Sequence, residues 1–178
     1  AVEQCYSPDG QWGGDVPRGI WVSPEMKDFY QGLEAAGIDA YVCSASSELI
    51  VEVLACDSVL GFGLSEERVY GLRFVSGERI IAQLDADYKQ PIRDGKVDCI
   101  RTYMAPAYDH AEPVLVAGDS NGDVAMLTAF PDMRKGLIID VGRNPESAIG
   151  KLGIQAKEQD NRGRYLLQKS FEYVHVVH

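Results

Sequence analysis

The sequence predicts an α/β protein built on a doubly wound, mostly parallel sheet, and three observations carry that prediction. Two apolar runs, Ile38–Cys43 and Pro113–Ala117, each end in small residues and lead directly into a helical pattern. A strand feeding a helix through a tight small-residue turn is the unit from which parallel sheets are assembled. The third observation is a single antiparallel interruption: Arg68–Phe74 and Glu78–Leu84 flank Val75-Ser76-Gly77, which reads as an inserted β-hairpin with a glycine in its turn.

Taken in order, the first twenty residues are rich in Gly, Pro and Asp and show neither helical nor alternating periodicity, and the first twenty-one hold both tryptophans, Trp12 and Trp21. They read as loop, or as the trailing end of something, set apart from residues 21–178. A helix then opens at Ser23-Pro24-Glu25, with Ser23 as N-cap, Pro24 at the first helical position and Glu25 on the positive end of the dipole. Met26, Phe29, Tyr30 and Leu33 give it one apolar stripe, and Gly37 ends it. The strand Ile38–Cys43 follows, then a helix from Ser46 to Cys56. After the hairpin and Pro91 come a helix over Lys96–Met104, the strand Pro113–Ala117, a helix over Asp123–Phe130, the strand Leu137–Val141 and a helix near Pro145–Leu152. In such a Rossmann-like arrangement the ligand site lies at the carboxyl ends of the strands.

At 178 residues the chain suits one domain with a sizeable core. With 27 acidic against 17 basic residues the formal net charge is −10, which argues against nucleic acid and anionic membrane as partners, since both need a cationic surface. No stretch approaches the ~20 apolar residues of a membrane span, and the amino end has no signal-peptide pattern. Cys5, Cys43, Cys56 and Cys99 form no C-x-x-C pair and have no accompanying histidines, so they read as buried or free thiols, with a disulfide most plausible at Cys5. His110, His175 and His178 lack a serine or cysteine elbow. Gly61-Phe62-Gly63 lacks the third glycine and the helix of a dinucleotide loop.

The chemistry concentrates in Val114-Leu115-Val116-Ala117-Gly118-Asp119-Ser120-Asn121-Gly122-Asp123. A buried strand delivers Gly118 and Asp119 to the sheet edge and a helix opens at Asp123, so two carboxylates converge where backbone amides are free. Mg²⁺ suits such a site, because it takes few protein carboxylates and completes its octahedron with water and phosphate. Asp119 as a turn residue and Asp123 as a helix cap would explain the pair equally well in isolation. A calcium loop does not: its sixth and twelfth positions hold Val124 and Phe130 where Gly and Glu are required. Two further elements accompany the pair. Ser44 and Ala45 stand where a strand gives way to a helix, a place suited to a phosphoryl oxygen. Lys96 enters a helix after Gly95, at the end where the dipole disfavours a cation.

In order and spacing, Ser44, Lys96 and Gly118-Asp119…Asp123 resemble the second, third and fourth motifs of haloacid dehalogenase-type phosphatases. The phrases Val22-Ser23-Pro24-Glu25-Met26, Gly37–Ser46 and Arg164–Gln168 are similar to those of bacterial phosphorylcholine phosphatase and its acid-phosphatase relatives. The resemblance implies that Ser44 and Ala45 contact the phosphoryl group and Lys96 neutralises charge. It further implies that Asp119 binds Mg²⁺ and that Asp123 holds the metal's water shell or Lys96. Departures accompany it. The Asp-x-Asp-x-Thr/Val motif that supplies the family's nucleophile does not precede Ser44; the one Asp-x-Asp is Asp85-Ala86-Asp87, with Lys89 in the fifth place. The resemblance therefore makes residues 1–20 the trailing part of a cap domain or a linker and residues 21–178 the carboxyl-terminal part of the hydrolase core. It also implies a companion amino-terminal fragment carrying the Asp-x-Asp and a small phosphomonoester as substrate, and weighs toward a periplasmic or secreted location without fixing it. The competing expectation is a non-catalytic Mg²⁺- or phosphate-binding fragment.

Overall fold

The structure, a computed structural model, describes residues 2–6, 13–17, 22, 24–59, 61–76 and 80–169. Ser23, Trp12, Trp21, Gly77, Glu78, His175 and His178, all named above, lie outside the described residues. Among the described residues no helix is long and apolar enough to cross a membrane.

The amino-terminal segment departs from its reading as loop. Strands β1 (Val2–Tyr6) and β2 (Gly13–Pro17) pair antiparallel, with Val2 opposite Pro17 and Tyr6 opposite Gly13. A backbone ladder needs no side-chain alternation, and the Gly13-Gly14 and Pro17 positions supply none, which is why the pattern hid it. Helix α1 (Pro24–Ala35) follows as predicted, and Gly37, at φ 73°, makes the left-handed turn that ends it.

Strand β3 (Val42–Ser47) starts and ends later than expected and runs into α2 (Glu48–Cys56). Its parallel partner is β4 (Val69–Leu72), which corrects the hairpin prediction. The predicted first arm divides: residues 69–72 join β3, while β5 (Phe74–Ser76) and β6 (Ile80–Leu84) make the antiparallel pair. The break falls at Arg73. There the Gln90 side chain accepts from the Arg73 amide at 3.1 Å and donates to its carbonyl at 2.9 Å, standing in for a neighbouring strand.

Glu48 locks this switch in place. Its buried carboxylate accepts from the Gly71 amide at 3.0 Å, the Tyr88 hydroxyl at 3.2 Å and the Arg73 guanidinium at 2.5 Å. Replacing Glu48 with Ala strands three donors, one of them a charged group, and should lower stability by about 2–4 kcal/mol in urea unfolding. Glu48→Gln, which keeps one acceptor, should lose less. A loss below about 0.5 kcal/mol for Glu48→Ala would show that the network does not hold the sheets together.

Helix α3 (Gly95–Cys99) continues through a π-helical stretch to Met104 and a tightened 3₁₀ turn to Tyr108, ending at Asp109 and His110, both with positive φ. The predicted helix over Lys96–Met104 thus exists but changes pitch midway. Tyr103 on this helix stacks between Tyr88 at 5.0 Å and Tyr70 at 5.9 Å, fastening it to β4. Strands β7 (Leu115–Gly118), β8 (Lys135–Asp140) and β9 (Tyr165–Lys169) form a parallel three-stranded sheet, connected by α4 (Val124–Thr128) and α5 (Ala148–Glu158). Ser147 caps α5 by accepting from the Gly150 amide at 3.2 Å.

One core serves both parallel sheets. Val97, Cys99, Ile100 and Met104 from the α3 segment pack with Val116, Leu127, Phe130 and Ile138, and Tyr41, Cys43 and Tyr70 press against the same cluster. The α3 segment is therefore common ground between β3-β4 and β7-β8-β9. The alternation of parallel strands and helices is that of an α/β, Rossmann-like doubly wound fold.

Candidate active site

Lys96 joins β3, at the edge of its bulge, to the segment just beyond the carboxyl end of β7. From the first turn of α3 its Nζ donates to the Cys43 carbonyl of β3 at 2.9 Å and to Asp123 Oδ1, just beyond β7, at 2.6 Å. Only 8% of the lysine side chain and 7% of the aspartate side chain are exposed. A cation so placed opposes the helix dipole and loses its hydration. The carboxylate and carbonyl replace that water, so the lysine is held by tertiary contacts and not by helix preference.

Asp123 is committed on both oxygens. Besides Lys96, its Oδ2 accepts from the Asp119 amide at 3.2 Å, the Ser120 amide at 3.0 Å and the Ser120 hydroxyl at 2.7 Å. A short 3₁₀ turn, Asn121–Asp123, precedes α4, so Asp123 ends that turn and stands at the N-cap position of α4, at the helix start where the sequence placed it. Burial pushes its carboxyl up, but the hydrogen bonds and charge of Lys96, joined by Ser120, outweigh it and hold Asp123 below the ordinary carboxylate range.

Ser44 sits in a bulge. Cys43 pairs with Tyr70 and Ser47 with Leu72, so three residues of β3, Ser44-Ala45-Ser46, stand opposite the single Gly71. Such bulges re-aim side chains beside functional sites. The Ser44 hydroxyl accepts from the Ser46 amide at 3.1 Å, so that amide is not free. Neither Ser44 nor Ser46 caps α2: the residue before it is Ser47, which makes no side-chain cap. Ala45 and Ser46 are exposed, and Ser44 is adjacent to the carbonyl that Lys96 holds.

Asp119, half-exposed at 43%, is gripped by Arg143 from the loop after β8. The guanidinium donates to Asp119 Oδ2 at 2.9 Å and to the Asp119 carbonyl at 3.1 Å. Asn121 ties the turn after β7 to the first turn of α5 by accepting from the Ile149 amide at 3.0 Å. Among the described residues no group of three or more His, Cys, Asp or Glu is placed to hold a metal ion. Mg²⁺ nonetheless makes do with one or two protein carboxylates, water and phosphate, and Asp119 fits as one such ligand. Asp123 offers no oxygen that is not already hydrogen-bonded.

The structure therefore brings Lys96, Asp123 and the backbone next to Ser44 together, and sets Asp119 at the same strand end with Arg143 upon it. The sequence reading had no place for Arg143, a single loop arginine after an apolar strand. Cys43, Cys56 and Cys99 are free thiols. The neighbouring Cys99 thiol draws the Cys43 thiol below its usual value, while Cys43 and burial push Cys99 up.

The model of the haloacid dehalogenase-like hydrolases matches residues 10–128. The chain is also similar to a conserved functionally unknown protein from Anaerococcus prevotii DSM 20548, known from its crystal structure. The TM-score is 0.78 at 35% identity over 93% of this chain, and the match spans 44% of that protein. No functionally curated protein matches. With a family match over more than half its length, the chain belongs to the haloacid dehalogenase-like hydrolases.

Proposed function

We propose that this chain contributes the charge-stabilising half of a Mg²⁺-dependent phosphomonoesterase, with the aspartate nucleophile supplied by a companion segment. The observation that carries the proposal is Lys96, which spans from β3 to the residue pair behind β7. Among the described residues β3 pairs only with β4 and β7 only with β8, so each keeps one edge unpaired. An added strand ending in Asp-x-Asp fits between them, covers both edges and brings its carboxylates to Lys96 and Asp119.

In that arrangement the Ser44 hydroxyl donates to a phosphoryl oxygen, while Ala45 and Ser46 line its approach. Lys96 offsets the negative charge that gathers where nucleophile and phosphoryl group meet, and Asp123 keeps the lysine charged and aimed. When bound at Asp119, Mg²⁺ would supply charge neutralisation at the phosphoryl oxygens, the main requirement of phosphoryl transfer.

With Mg²⁺ and p-nitrophenyl phosphate, the chain alone should show no turnover. Adding an upstream segment that carries Asp-x-Asp should restore it, and Asp119→Asn in the restored protein should cost about 10²-fold or more in kcat. Comparing phosphorylcholine with phosphoserine then tests the narrower kinship to phosphorylcholine phosphatases. A second reading, binding of phosphate or Mg²⁺ without hydrolysis, draws on the closure of Asp119 by Arg143. It prevails if the restored protein binds phosphate but stays inactive.

A further inference from the structure

Arg143 holds Asp119 at two points, the carboxylate and the carbonyl, and so places a guanidinium against the carboxylate proposed above as the metal ligand. The contact is only partly shielded, with 51% of the arginine and 43% of the aspartate side chain exposed. Arg143 itself lines an open pocket of about 230 Å³ beside β8, β9 and α5, shared with Ile138, Asp140, Ile149, Gly153 and one like-charged residue, Lys157. The arginine thus has room to turn aside, and Asp140 in that pocket offers a second anion. Asp140 already steadies the loop by accepting from the Gly142 amide at 2.9 Å, which keeps it beside Arg143.

We propose that Arg143 is a movable counter-ion which occupies Asp119 until a divalent cation displaces it, and so sets the metal affinity of the site. This rests on the reading of Asp119 as the metal carboxylate. Arg143 is bonded to Oδ2 of Asp119, and a dication taken up by that carboxylate, on either oxygen, sits within a few ångström of the guanidinium, so their repulsion favours withdrawal of the arginine into the pocket. Arg143 is a positioning residue here, acting on the metal only through Asp119.

Mn²⁺ binding to the full chain, followed by the electron paramagnetic resonance signal of the free ion, tests this without any turnover. Arg143→Ala should bind Mn²⁺ about fivefold more tightly than the unaltered chain, near the ceiling for an ion pair this exposed. Arg143→Lys, which keeps the charge, should stay within about twofold. Equal or weaker binding by Arg143→Ala would overturn the proposal, since an arginine that merely orients Asp119 gives that result. Mn²⁺ binding unchanged by Asp119→Asn would instead remove the assignment of Asp119 as metal carboxylate, and with it the role of Arg143. The phosphatase reading is decided separately by turnover of the restored protein.

Discussion

Lys96→Met should destabilise the chain by about 3–5 kcal/mol, because it leaves Asp123 buried and unpaired and the Cys43 carbonyl without its donor. Removing one partner of a buried pair costs far more than replacing both, so the double variant Lys96→Met/Asp123→Leu should recover much of the loss. The pH dependence separates charge from packing. In the native chain Asp123 titrates below its ordinary value, so its contribution is complete above about pH 4 and drains away as pH falls through the lowered folded value. In Lys96→Met only the hydrogen bonds to Oδ2 still oppose burial, so the folded value rises and the loss of stability on acidification should be smaller than in the native chain. Urea unfolding at pH 7, 5 and 3.5 measures both trends. A loss under about 1 kcal/mol, or parallel pH profiles for the two proteins, would mean that the pair does not join the sheets.

How far the sequence revealed this arrangement depends on how local each determinant is. The strand-to-helix unit at Pro113–Ala117 was legible because an apolar run and its small-residue turn lie within a dozen neighbours, whereas the strand read at Ile38–Cys43 begins four residues later, because Ser44–Ser46, read as a turn, form a bulge inside it. The partner of Val69–Leu72 was not, because the chain leaves that sheet at Arg73 under the Gln90 side chain, seventeen residues away. Strand β9 is a short apolar run whose meaning comes from lying beside β8. At the site, spacing exposed Asp119 and Asp123 as a pair and marked Lys96 as a lysine at an unfavourable helix end. Spacing could not show that Asp123 spends both oxygens inside the protein, or that an arginine twenty-four residues on closes over Asp119. Those are properties of the folded edge, where residues from four segments meet.

Gly118→Ala carries the second large effect, and Gly122→Ala is its control. A Cβ on Gly118 would lie 2.4 Å from Asp123 Cβ and 2.8 Å from its Cγ, atoms fixed by Lys96 on one side and the Ser120 hydroxyl on the other. Neither side gives easily: Gly118 is paired with Ile138 in the sheet and Asp123 leads into α4. The added methyl must therefore move the strand end or pry the carboxylate from its lysine, costing about 2–4 kcal/mol. In a restored enzyme kcat should fall at least 10²-fold as well, since a shift near 1 Å at Asp119 misaligns the reacting groups. A Cβ on Gly122 meets only the Ser120 hydroxyl, at 3.4 Å, and should change stability by less than about 0.5 kcal/mol. Thermal unfolding of the two variants side by side decides the matter. Equal losses would mean that any added methyl perturbs this loop, whereas a loss confined to Gly118 shows that the glycine is there to admit the Asp123 carboxylate.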